Sequence, residues 1–199
     1  MVEAEFYPLK SSLKEHVEKY WKKILETPDA QNPATDPDGS RHDVTTNPVY
    51  LACSMIGTVT RNLPDISSDK SIFVPVNPVE ICERELDPGE NENDLKRYAE
   101  KDEDSATNVT LIIDDKKYNL KDIKHRIGHV GPFEVVIPEK PLDWLEPSGK
   151  CKAVADGFYV IINPLAPGPH TVRFQARVDS PHKEPAPWEQ DVTYKFNVT

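Results

Sequence analysis

Strict alternation of apolar and polar residues is the clearest pattern of the C-terminal part of the chain. It runs through HTVRFQARV, 170–178, and through DVTYKFNV, 191–198. Successive side chains of a strand point to opposite faces of a sheet, so both segments are predicted to be strands with one solvated face. The continuous apolar run GFYVIIN, 157–163, predicts a strand that is buried on both faces or central in a sandwich.

Further strands are predicted upstream by apolar, β-branched and aromatic residues between turn residues. They are one strand in VYLACSMIGTVTR, 49–61, one in SIFVPVN, 71–77, a hairpin in NVTLIIDDKKYNL, 108–120, and one in PFEVVIP, 132–138. Proline cannot donate a ladder hydrogen bond, so Pro75 indicates an edge strand or a bulge.

Two helices are predicted by a different spacing. Leu13, Val17, Trp21 and Leu25 form one apolar stripe at helical spacing, and Pro28 follows as a stop signal. The acidic segment at about 91–105 has helical propensity and is expected to be an exposed helix inserted between strands.

Short strands that are joined by turns rich in Pro, Asp and Asn, without βαβ alternation, predict a mainly β fold. We expect an antiparallel β-sandwich of jelly-roll or Ig-like type, with an N-terminal amphipathic helix and one inserted acidic helix. The expected organisation is a single domain over 1–199. It comprises a helix packed on the sheet in 1–28, a long Pro/Asp loop in 29–48 and the sandwich in 49–199.

Charge and composition exclude some classes of function. The formal net charge is −10, from 34 acidic and 24 basic residues, and no basic stripe is present, which disfavours binding to nucleic acid. No run of about 18 apolar residues predicts a membrane span, and no signal peptide is visible. Cys53, Cys82 and Cys151 form no CxxC motif and are expected to be free buried thiols, which favours a cytoplasmic location.

Several motifs together resemble those of a family of uncharacterised, mostly secreted bacterial and archaeal β-sandwich proteins. The matching segments, between roughly Tyr20 and Val198, are KYWKKILETP, NPATDPDG, VYLAC, Thr60-Arg61, DKSIFVPVN, DGFYVIINPLAPGPHTVRF and VTYKFNV. Members of the family usually begin with a signal peptide, and none is visible in this sequence. It also has Tyr98 in the region where members often carry a second cysteine that could pair with the one matching Cys82. The resemblance implies a β-sandwich and no particular activity.

Acidic residues suggest two candidate sites, each with a simpler alternative. Asp36, Asp38 and Asp43 lie in an oxygen-rich loop that could bind Ca²⁺, although the same residues are typical of Asx turns. No other cofactor is predicted. Glu80 or Glu83 together with Asp102 could hold a metal or act as an acid/base pair; the alternative is a solvated acidic face.

Histidines and aromatic residues supply the remaining candidates. His125 and His129 have the spacing of a helical metal pair, but HRIGHVGP does not favour a helix, and His182 adds no motif. His170 is a candidate catalytic residue, but an inward corner histidine that is bonded to a loop carbonyl is favoured. Rings that could line a ligand groove or simply pack in the core are those of Tyr20, Trp21, Tyr50, Trp144 and Trp188.

Three functions remain open at this stage. The first is a binding or accessory β-sandwich without a catalytic motif, whose partner is a small molecule, a glycan or a protein. The second is an enzyme of lyase, isomerase or cyclase type that uses a carboxylate/His site on a small metabolite. The third is a structural or oligomerisation module that uses an exposed sheet edge.

Overall fold

The computed structural model describes residues 10–121, 125–179 and 187–199, with side chains from Leu13 onward. Two α-helices and nine strands form the mainly β fold of these residues. The elements are α1 (Lys10–Leu25), β1 (Val49–Tyr50), β2 (Thr58–Asn62), β3 (Ile72–Cys82), α2 (Glu92–Asp104), β4 (Thr110–Ile113), β5 (Lys116–Asn119), β6 (Val130–Ile137), β7 (Gly149–Ile162), β8 (Gly168–Val178) and β9 (Trp188–Val198).

The strands form two mixed sheets, which corrects the expectation of a purely antiparallel arrangement. The first sheet has the order β1-β3-β7-β6 and the second the order β2-β9-β8-β4-β5. β1 pairs with β3, and β2 with β9, in parallel. The alternation of residues predicts which face of a strand is buried. It does not predict the direction of the neighbouring strand, so the two parallel pairs were not expected.

The first sheet is covered on both faces. One face packs on α1 through a cluster that includes Trp21, Phe73 and Tyr159. The other face shares a core with the second sheet, in which Val160 of β7 and Phe174 of β8 take part. At the far end of β3 and β7 the second sheet gives way to α2, whose apolar residues Leu95 and Ala99 pack on that same face.

Most predicted elements are confirmed, with local differences. The helical stripe of α1 is buried, and β8 and β9 keep their alternation. Pro75 lies at a register shift between Pro75 and Asn77, which confirms the predicted bulge, although β3 is an interior strand. The single strand predicted over 49–61 is instead split into β1 and β2, which belong to different sheets. Among the described residues, no helix is long and apolar enough to cross a membrane.

Candidate functional site

Charged side chains line an open cleft between α2, β7 and the segment that precedes β6. The cleft has a volume of about 590 Å³. Its lining residues are Glu100, Asp104, Lys121, Arg126, Gly128, His129, Asp156 and Phe158. Six of these eight residues are Asp, Glu, Lys, Arg or His with a side chain that can form charge-assisted hydrogen bonds.

An arginine–aspartate pair forms the floor of the cleft. Nε of Arg126 lies 2.7 Å from Oδ1 of Asp156, and Nη2 lies 3.0 Å from Oδ2, so the pair is bidentate. Asp156 is buried with 2% of its surface exposed. Burial raises the pKa of Asp156, and Arg126 opposes this rise by stabilising the carboxylate.

Two glycines allow the backbone to approach this pair. Gly157 has a φ of +148°, and a Cβ atom there would lie 2.3 Å from the carbonyl oxygen of Asn77. A Cβ atom at Gly128 would lie 2.9 Å from Oδ2 of Asp156. A larger residue at either position would therefore disturb the floor of the cleft.

A second acidic residue lies behind the floor. Glu103 of α2 is 1% exposed, and its two carboxyl oxygens lie 3.0 and 2.9 Å from Nδ2 of Asn77. Burial raises the pKa of Glu103 to about 8, and the nearby charge of Asp156 adds to this effect. Glu103 therefore holds a proton at neutral pH next to the ionised pair.

The rim of the cleft is more solvated. Nε2 of His129 lies 2.9 Å from Oε1 of Glu100, and their side chains are 59% and 44% exposed. The guanidinium group of Arg126 also reaches Asp104, whose side chain is 71% exposed. Glu100 and Asp104 therefore keep oxygen atoms that a molecule in the cleft can reach.

A separate cluster of sulfur and oxygen atoms lies at the end of β3. The ligand atoms of Glu80, Cys82 and Glu85 all lie within 4.8 Å of one another. Cys151 of β7 is the diagonal neighbour of Cys82 on the same face of the first sheet. Hydrogen bonding from the Cys82 thiol and from the amides of Arg84 and Glu83 lowers the pKa of Cys151 to about 7, whereas burial raises the pKa of Glu80.

The three aspartates predicted to bind Ca²⁺ each cap their own turn. Both oxygens of Asp36 accept backbone N–H bonds, from residues 38, 39 and 41. Asp38 accepts from the amide of Ser40, and Asp43 from the amide of Thr45. This arrangement corresponds to the alternative of an Asx-rich turn.

The four candidate catalytic residues are not brought together. Glu80 belongs to the sulfur-containing cluster on the α1 side of the first sheet, whereas Asp102 lies on α2 at the opposite face. Glu83 accepts a hydrogen bond from the amide of Lys152. His170 lies on the second sheet, where Nε2 bonds to the carbonyl of Ala166, which confirms the predicted loop contact.

The aromatic candidates lie outside the residues that line the cleft. Tyr20 and Trp21 are buried beneath α1, where Trp21 donates a 2.9 Å hydrogen bond to Tyr159. Tyr50 is half-buried and bonds to His16. Trp188 packs against the core between the sheets, and Trp144 is 40% exposed. His125 and His129 lie in a non-helical segment, as expected, and His182 lies outside the described residues.

The pairing of Arg126 with Asp156 was not predicted from the sequence. One signal was available: Asp156 is a charged residue inside β7, whose other residues from Ala153 to Ile162 are apolar or glycine. A buried charge requires a partner, so this position pointed to a cation elsewhere in the chain. Nothing in the sequence shows that this cation is Arg126.

Comparisons with protein-family models, with curated proteins and with solved structures found no match for this chain. The resemblance to a β-sandwich family therefore stays a hypothesis.

Proposed function

We propose that this protein binds a small polar molecule, rich in hydrogen-bond donors, in the cleft between α2 and β7. The observation that carries the proposal is the arrangement of charged side chains around the bidentate pair of Arg126 and Asp156 in a cleft of about 590 Å³. Cavities of this size accommodate small-molecule ligands. The two sheets with a shared core agree with the proposed β-sandwich in a binding role.

The chemistry of the ligand follows from the groups that remain accessible. Every nitrogen of the Arg126 guanidinium group already has an acceptor, in Asp156, Asp104 or the carbonyl of Glu100. The rim carboxylates of Glu100 and Asp104, in contrast, are partly exposed. The cleft therefore favours hydroxyl or ammonium groups and disfavours an anion, which would meet three carboxylates.

Titration with three probes tests the proposal. Glucose represents a neutral polyol, putrescine an amine and citrate an anion. We expect glucose or putrescine to raise the melting temperature and to shift NMR signals of the cleft residues, and citrate to do neither. A ligand at 100 times its Kd stabilises the native state by about 2.7 kcal/mol.

Variants that replace a carboxylate by the neutral amide test where the probe binds. Asp104→Asn and Glu100→Gln together should weaken binding of the stabilising probe by tenfold or more. Glu139→Gln removes an exposed carboxylate after β6, outside the cleft lining, and should leave the affinity unchanged. No response to polyol or amine, or equal losses in both variants, would contradict the proposed site.

An enzyme that uses a carboxylate/His site is the second candidate. The observation that favours it is the 2.9 Å contact of His129 with Glu100 beside the buried Asp156, because such groups can transfer protons to a bound molecule. If it is correct, NMR of a bound probe should show conversion that His129→Asn abolishes. Binding without any conversion supports the binding role alone.

The third function, a module that oligomerises through a sheet edge, has less support. β6 is an edge strand, and the amide of Val136 already bonds to the Glu26 side chain. Pro132 and a register shift further interrupt the ladder of β6. Both features are typical of edges that are protected against pairing.

A further inference from the structure

The end of β3 brings two cysteines and two glutamates to one point of the fold. Cys82 pairs with Ala153 in the register of β3 and β7, so Cys151 is its diagonal neighbour on the same face. Glu80 lies two residues before Cys82 and points to that face too. Glu85 folds back over the strand end, where its Oε1 accepts the amide of Cys82 at 2.8 Å.

The atoms of this cluster are close, and its two cysteines are shielded from water. Cys82 is 0% and Cys151 3% exposed. The carboxylate and thiol atoms of Glu80, Cys82 and Glu85 lie within 4.8 Å of one another, a spacing that a single bound ion can span. Cys151 lies outside this set of three, but its place diagonal to Cys82 on the same face of the sheet makes its sulfur the candidate fourth ligand atom.

One oxygen atom of the cluster lacks a hydrogen-bond partner among the described residues. This atom, Oε1 of Glu80, is inaccessible to solvent. Buried polar atoms are usually paired, and one without a partner destabilises the native state. A cation between Glu80 and the sulfur atoms would supply that partner.

We propose that Glu80, Cys82, Glu85 and Cys151 form a partly buried binding site for one thiophilic divalent cation, with Zn²⁺ as the ion that fits best. Two sulfur and two carboxylate ligands match the tetrahedral N/S/O coordination of Zn²⁺, whereas Ca²⁺ and Mg²⁺ prefer oxygen ligands alone. Arg84 donates a hydrogen bond to the carbonyl of Lys150, next to Cys151, so its charge offsets part of the negative charge of this ligand set.

This site is independent of the proposed ligand cleft. Cys82 and Cys151 belong to the cluster on the α1 side of the first sheet. Asp156 lies two residues after Val154 in β7, so its side chain points to the same face as that of Val154, which packs on the α2 side. A residue change at one site therefore leaves the side chains of the other in place. Failure of one proposal says nothing against the other.

The test uses the whole chain, reduced with a phosphine and freed of metal. Zn²⁺ is titrated in the presence of a chromophoric chelator, and Co²⁺ replaces it for spectroscopy. We expect one equivalent of tightly bound metal, a sulfur-to-cobalt charge-transfer band in the near ultraviolet and the strong visible absorption of tetrahedral Co²⁺. Mg²⁺ at the same concentration should not compete.

Variants identify the ligands. Cys82→Ser and Cys151→Ser should abolish the charge-transfer contribution of the lost sulfur, and Glu80→Gln should lower the affinity about tenfold or more. Cys53→Ser is the matched control, because Cys53 is also fully buried but contacts Tyr20 rather than a carboxylate, and it should keep full binding.

Three results would overturn the proposal. The first is the absence of stoichiometric metal in the folded wild-type chain, which requires no variant to fold. The second is a charge-transfer band that Cys82→Ser leaves unchanged. The third is a Cys82–Cys151 disulfide that forms in air, with no metal bound after its reduction.

Discussion

Two arginines form the centres of two polar networks with different properties. Arg61 of β2 is 0% exposed and donates to the carbonyls of residues 34, 36, 52 and 53 and to the hydroxyl of Tyr194. Arg126 has a 29% exposed side chain and donates mainly to the carboxylates of Asp156 and Asp104. The first network is closed, and the second opens to the cleft.

The acceptors explain the difference in role. Carbonyl oxygens of the 29–48 loop and of the segment after β1 surround Arg61, so this side chain ties the loop to β2 and β9. Carboxylates and a histidine surround Arg126, and some of them remain exposed. A network whose donors and acceptors are all matched stabilises a fold, whereas one with exposed acceptors can bind a ligand.

The largest expected effect is at Arg61. Arg61→Met would remove a donor from four carbonyl oxygens, of which those of residues 34 and 52 keep a second donor in the Met55 amide and the Tyr194 hydroxyl. The carbonyls of residues 36 and 53 would lose the donor that Arg61 supplies, and we expect the free energy of unfolding to fall by about 4 kcal/mol. Urea unfolding at pH 7 measures this loss. Arg173→Met, which removes a surface pair with Asp191, is the control and should cost about 1 kcal/mol or less. Equal losses would show that Arg61 has no special role.

The next effect concerns Glu103 in the open network. Its pKa is raised to about 8 in the folded state, so the native chain keeps a proton that the unfolded chain releases. The contribution of Glu103 to the free energy of unfolding is therefore lost as the pH rises from about 4.5 to 8. The loss amounts to up to roughly 4 kcal/mol. Glu103→Gln should remove this slope and should be more stable than the wild type at pH 8.

Glu100→Gln, on the solvated rim of the same helix, should keep the slope of the wild type. Stability curves of the wild type and of Glu103→Gln that run parallel between pH 5 and 8 would contradict the assignment.

The closed network should respond to pH in the opposite sense. His42 lies between Asp36 and Tyr194, and burial together with the charge of Arg61 lowers its pKa to about 4. The unfolded chain binds a proton below about pH 6.5 and the native chain does not, so stability falls with decreasing pH, by up to roughly 3 kcal/mol. His42→Gln should lack this loss. The stability difference between variant and wild type, measured from pH 7 to pH 4, isolates it from the effect of Glu103.

The smallest effect on folding is expected at Arg126. Arg126→Met leaves Asp156 buried, but the carboxyl can take up a proton, so we expect a loss of about 2 kcal/mol, smaller than for Arg61→Met. Probe binding in the cleft should weaken, because Arg126 holds the carboxylates of Asp156 and Asp104 in place. Urea unfolding and the probe titration together check both parts, and a variant that binds as well as the wild type would remove Arg126 from the site.

The predictability of these regions differs for a physical reason. Alternation in β8 and β9 and the apolar stripe of α1 were sufficient to predict their buried faces, because burial of a face requires that pattern in the local sequence. The Asp36 turn was also open to prediction, since Asp, Gly and Pro encode turns locally. Arg126 and Asp156 are 30 positions apart, and the local sequence around one of them does not identify the other as its partner.

The sequence alone determined the strand-rich character of this protein, the two helices and the buried face of the first. It predicted an exposed second helix, whereas α2 buries Leu95 and Ala99 on the first sheet, and it left Pro75 open between an edge strand and a bulge. Tertiary structure decided which strands run parallel, which side chains meet in the cleft, and that Cys82 meets Cys151. Local patterns record whether a residue is buried, because solvent acts on each residue separately. The identity of its partner depends on how distant segments pack, and that information is distributed over the whole chain.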